Sequence, residues 1–145
     1  MKQRGSQFEY QEERDADLMK VYNEILEKEK FPFHLMDVMK KVVHHSSKAF
    51  WVSTQRAFNV ISRMRRGEDP ELKCENKRLM FEEIYRRVRE LEDKHPEERL
   101  FLLVEQVVFT EAPSFYMTPA SAKVIIHKIK KKWRKEKSLL RQLRH

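Results

Sequence analysis

Residues 47–66, SKAFWVSTQRAFNVISRMRR, lie on residues 112–131, APSFYMTPASAKVIIHKIKK, at a shift of 65 positions. Phe50 meets Phe115, Trp51 meets Tyr116, Ser53 meets Thr118 and Ala57 meets Ala122. Val60 and Ile61 fall on Ile125 and Ile126, Met64 on Ile129, and Arg63, Arg65 and Arg66 on Lys128, Lys130 and Lys131. Upstream, Val42 and Val43 meet Val107 and Val108; with a slip of one or two residues, Pro32 meets Pro96 and Tyr22 meets Tyr85. Prolines, hydroxyls and charge blocks recur together, which chance similarity of amphipathic helices does not require, so the chain reads as a tandem duplication.

Each copy predicts three helices. The first opens at a capping box, Ser6 with Glu9, and carries Leu18, Tyr22 and Ile25 at helical spacing. Its counterpart is expected to start at Asp69 and Pro70 and to bury Phe81, Ile84, Tyr85, Val88 and Leu91, with Cys74 inside it as a small apolar filler. Second helices are expected to open at Pro32 and Pro96, with apolar faces Leu35, Val38, Met39, Val42 and Leu100, Leu103, Val104, Val107. A loop then carries the aromatic triplet, in which Trp51 and Tyr116 read as core plugs, before Ser53 or Thr118 caps the third helix. Gly67 reads as a left-handed stop. The fold expected is all-α: two tandem three-helix units, residues 1–67 and 68–145, with the last helix extended.

Charge alternates along the chain. Residues 1–37 carry −3, 38–67 carry +7, 68–122 carry −5 and 123–145 carry +9, for a total of +8 in 145 residues. Acidic first helices could neutralise basic third helices, but +9 in the last stretch leaves a positive field there. One cysteine excludes an internal disulfide and a Cys-rich zinc site. His44 and His45 have no carboxylate or cysteine at ligand spacing, so no metal or cofactor is expected. With only Gly5 and Gly67 as glycines and no phosphate loop, His-Glu-x-x-His or nucleophile elbow, no enzyme is expected. The longest uncharged apolar stretch, Leu100–Val104, is far short of the roughly 20 residues a membrane span needs, and no signal-peptide core opens the chain. A soluble, cytoplasmic protein without membrane partners is the expectation.

The third helices carry the functional reading. At 100° per residue, Ala57, Val60, Ile61 and Met64 form the buried stripe, and Gln55, Asn59, Ser62 and Arg66 face outward, flanked by Arg56 and Arg63. Gln and Asn can pair with adenine and Arg with guanine in the major groove. The second outward set is Ala120, Val124, His127 and Lys131, flanked by Ser121 and Lys128, a face better suited to phosphate than to bases.

On this architecture, over nearly its whole length, the chain resembles tandem three-helix DNA-binding repeats of the helix-turn-helix and Myb-like class. The resemblance implies that each third helix enters the major groove of double-stranded DNA. The candidate nucleic-acid contacts are Gln55, Arg56, Asn59, Ser62, Arg63, Arg65 and Arg66 in the first copy. In the second they are Ser121, Lys123, His127, Lys128, Lys130, Lys131, Arg134 and Lys135. An assembly or adaptor protein joining acidic to basic helices, or an RNA-binding protein, is the alternative. The last stripe, Ile126, Ile129, Trp133, Glu136, Leu140 and Leu143, predicts that the final helix continues to about Leu143. Its far end is expected to dock on the acidic first helix of the same chain, with a homodimer as the alternative.

Overall fold

The computed structural model describes residues 2–144, with side chains from residue 10 onward. Six helices follow one another: α1 (Lys2–Lys28), α2 (Leu35–Val43), α3 (Thr54–Arg65), α4 (Glu75–Lys94), α5 (Leu100–Val108) and α6 (Pro119–Arg144). Among the described residues the sole β-pairing is an isolated antiparallel bridge, Ser47 with Ala112. The 65-residue shift carries the bounds of α2 onto those of α5 and the start of α3 onto that of α6.

The helices pack as two bundles, and each bundle takes its third helix from the other copy. Helices α1, α2 and α6 touch one another, as do α3, α4 and α5, and among the described residues α2 does not pack on α3 or α5 on α6. One core gathers Leu18, Tyr22, Val38, Met39 and Val42 with Ala122 and Ile126; the other gathers Phe81, Ile84, Val88, Leu103 and Val104 with Ala57 and Ile61. This corrects the expectation of contiguous units 1–67 and 68–145. Apolar stripes of equal spacing let either third helix complete either helix pair, and the connectors decide which pairing forms. In the connectors, Ser47 and Ala112 exchange N–H to carbonyl bonds of 2.8 Å in both directions. The Phe50 N–H donates to the Val108 carbonyl and the Phe115 N–H to the Val43 carbonyl, each at 3.0 Å. Both bonds are related by the same 65-residue shift, so the two connectors cross about an approximate two-fold axis. Each therefore delivers its helix to the far side.

The aromatic triplets plug both cores at this crossing. Phe50 is buried among α3, α4 and α5, where Tyr116 stacks on it at 6.1 Å. Phe115 is buried in the other bundle, against which half-buried Trp51 packs. The Trp51 indole N–H donates to Ser47 Oγ at 2.6 Å, and Ser47 Oγ donates to the buried Asp17 carboxylate at 2.9 Å.

Several helix starts differ from the sequence expectation. Helix α1 runs through Ser6 and Glu9, so the box does not open it; their side chains lie outside the described residues. Asp69 does not cap α4, because its Oδ1 accepts the Glu71 N–H at 2.8 Å in a local turn, and Glu71 takes φ +56. Helix α4 begins at Glu75, with Cys74 exposed at the N-cap position rather than inside the helix. Pro32 and Pro96 lie in turns ahead of α2 and α5, which begin after the extended residues His34 and Arg99. The expected caps of the third helices form: Ser53 Oγ accepts the Arg56 N–H and Thr118 Oγ1 the Ser121 N–H, each at 3.1 Å. Gly67, at φ +77, ends α3, with its N–H on the Met64 carbonyl and that of Glu68 on the Arg63 carbonyl. These are the paired bonds of a Schellman cap.

Candidate nucleic-acid interface

The N-terminal turns of α3 and α6 open on one groove of about 1110 Å³ that lies where the bundles meet. Gln55, Arg56 and Asn59 line it from α3 and Ser121 from α6. Of the candidate contacts, the structure brings these four together. The Gln55 amide donates to Asn59 Oδ1 at 3.0 Å across one helical turn. Arg56 lies over the Phe81 ring, 5.8 Å from its centroid. Ser62 is half-buried and lies outside this groove.

The remaining arginines of α3 and its cap sit at the other end of the helix, and each meets a carboxylate. Arg65 pairs with Glu92 of α4 at 2.6 Å, Arg66 with Glu68 at 2.9 Å and Arg63 with Glu71 at 3.8 Å. The Arg66 guanidinium, hydrogen-bonded to Glu68, holds that carboxyl below the usual range. Helix α4 compensates its own charge in the same way: Arg86 and Arg87 both donate to Glu83, at 2.7 Å. The Arg86 bond keeps the Glu83 carboxyl below its ordinary value, with burial acting in the opposite sense. Of the seven cations at 38–67, four thus meet a carboxylate: Arg63, Arg65, Arg66 and also Lys41, which pairs with Glu29.

Helix α6 is different. Among the described residues no ion pair reaches it. Ser121, Lys123, His127 and Lys128 are exposed, as is every residue from Lys131 to Arg144, Arg134 and Lys135 included. Lys130 is the exception, half-buried and donating to the Tyr22 hydroxyl at 3.0 Å, with its ammonium 4.6 Å from the centre of that ring. Successive steps of 100° put Lys128, Lys131, Arg134 and Lys135 within one sector about 120° wide. That sector lies opposite the stripe of Ala122, Ile126 and Ile129 that packs on α1 and α2. Lys132, Lys137, Arg141 and Arg144 extend the cationic surface beyond the residues picked from sequence; they belong to the run whose only acid is Glu136.

The expected docking of the far end of α6 on α1 falls in part outside the described residues, because the side chains of residues 1–9 are not among them. Residues Lys131–Arg144, about 21 Å of helix at 1.5 Å per residue, are exposed: Trp133, which shares a cleft with Gln11 and Glu12 of α1, by 48%, and Leu140 and Leu143 by 58% and 81%. Among the described residues no three His, Cys, Asp or Glu side chains gather at metal-binding distance, and no helix is long and apolar enough to cross a membrane. Comparison with protein-family models, curated proteins and solved structures finds no match for this chain.

Proposed function

We propose that this protein binds double-stranded DNA without catalysis, with α6 as the principal contact, and that it arose by duplication of a three-helix unit whose third helices exchanged. The observation that carries the reading is the contrast between the two third helices. Arg63, Arg65 and Arg66 are paired with carboxylates of their own bundle, whereas the cations of α6 have no such partner among the described residues. A helix 10–12 Å wide fits the major groove of B-form DNA, while the deep, narrow major groove of A-form RNA does not admit it. The helix-turn-helix resemblance takes an exchanged form in this reading, with α2 beside α6 and α5 beside α3 as the helix pairs.

The division of labour also changes. Gln55 and Asn59 line a groove and share a hydrogen bond, whereas the cationic sector of α6 faces outward. The cations of α6 can meet phosphates as they stand. Affinity should therefore be steeply salt-dependent and little dependent on sequence. With four to six phosphates neutralised, the slope of log K against log salt should be roughly −4 to −5, a loss of two to three powers of ten between 50 and 200 mM. Fluorescence anisotropy with labelled duplex DNA, duplex RNA and single strands across that range measures it. A flat salt response, or tighter binding to duplex RNA than to DNA, would overturn the proposal.

A further inference from the structure

We propose that the free end of α6 is a docking strip for an acidic amphipathic helix of a partner protein. Along α6 the positions Ile126, Ile129, Trp133, Glu136, Leu140 and Leu143 advance by three and four residues in alternation, the a and d spacing of a heptad. The strip starts inside the fold: Ile126 is buried and Ile129 half-buried against α1 and α2. It continues into Trp133, which shares a cleft with Gln11 and Glu12 of α1, and then into the exposed Leu140 and Leu143. An established interface thus runs off the end of the body with its register intact.

Charge beside the strip selects the occupant. Along the free end the flanking e positions are Lys137 and Arg144 and the g positions Lys132 and Leu139, while Lys130, the preceding e position, is bonded to Tyr22. In a parallel pair of two copies, Lys132 of one helix would face Lys137 of the other, and like charges there oppose pairing. A helix with Glu beside its own apolar seam meets these cations favourably. Nucleic acid offers no apolar surface for Leu140 and Leu143, and it would take the opposite sector of Lys128, Lys131, Arg134 and Lys135. A lipid surface favours a broad, uninterrupted apolar sector, whereas this strip, with Leu139 beside it, is interrupted by Glu136.

The test uses the full chain and three synthetic helices: one with Leu at a and d and Glu at e and g, the same helix with Lys for Glu, and the Glu helix with Ser for Leu. Anisotropy of the labelled peptides should show binding of the first alone. Changing Leu140→Asp together with Leu143→Asp should weaken it by roughly tenfold or more. Both residues lie outside the two cores, so the fold is retained. Changing Lys132→Glu together with Lys137→Glu should transfer the preference to the Lys peptide, a gain that misfolding cannot produce. Equal binding of the Ser peptide would overturn the proposal in favour of simple charge attraction. So would preferential binding to vesicles of anionic lipid, or a concentration-dependent dimer of the protein alone that Leu140→Asp abolishes.

Discussion

A chain ending at Thr118 is expected to lose the structure of α1 and α2 while keeping that of α4 and α5. Helix α6 supplies Ala122 and Ile126, both buried, and half-buried Ile125 and Ile129 to the core of the terminal bundle. Burial of an Ile side chain stabilises by roughly 1.5–3 kcal/mol, so three of them contribute about 5 kcal/mol or more, comparable to the whole stability of a small domain. Removing them leaves α1 and α2 as a two-helix remnant whose apolar faces meet water. The central bundle, by contrast, comes from an uninterrupted stretch, Thr54–Val108, with Phe50 and Ala112 closing its core. Amide hydrogen exchange on the truncated chain should show protection kept over 75–108 and lost over 10–43. In contiguous three-helix units the outcome would be the reverse, because α1, α2 and α3 would survive and α4 and α5 would lack a third helix. Protection retained over 10–43 would therefore refute the exchange.

Reversing charge on α6 should abolish most DNA binding. Lys128, Lys131, Arg134 and Lys135 are exposed on one sector and unpaired among the described residues, so changing all four to Glu should leave the fold intact. Duplex affinity at low salt should fall by about two to three powers of ten, because four phosphate contacts are lost and replaced by repulsion. The matching change of Arg63, Arg65 and Arg66 to Glu removes residues already paired with Glu71, Glu92 and Glu68. That variant should bind DNA within about tenfold of the parent. It should also lose little stability, since exposed ion pairs contribute roughly 0–1 kcal/mol each. Anisotropy and thermal melting of both variants check the pair of expectations, and a larger affinity loss from the α3 change would shift the interface to the central bundle.

The amino-acid sequence carried much of this fold openly. Helices α2 and α5, the Ser53 and Thr118 caps, the Gly67 stop and the length of α6 all rest on local chemistry that neighbouring residues decide. The partner of each third helix does not. The stripe of Ala57, Val60 and Ile61 says which face is buried, and Leu103 and Val104 offer it the same shape of surface as Val38 and Met39. Two such copies make the cis and exchanged packings equivalent to any pattern argument, and bonds between the connectors, Ser47 with Ala112 above all, distinguish them. At the candidate site the same limit applies to charge. Glu92 is far from Arg65 in sequence and bonded to it in space, so the basic run of α3 looked free when it was not. The excess on α6 was legible because only Glu136 interrupts it. The bond between Gln55 and Asn59 was also within reach, since residues four apart on a helix face each other.

Titration of the isotope-labelled protein with a random duplex, followed by backbone amide NMR, tests most directly which helix meets DNA. The account predicts that shifts and line broadening concentrate over Lys123–Arg144 and spare Thr54–Arg65. Perturbation centred on Gln55, Arg56 and Asn59, with the amides of Lys128–Lys135 unmoved, would contradict it.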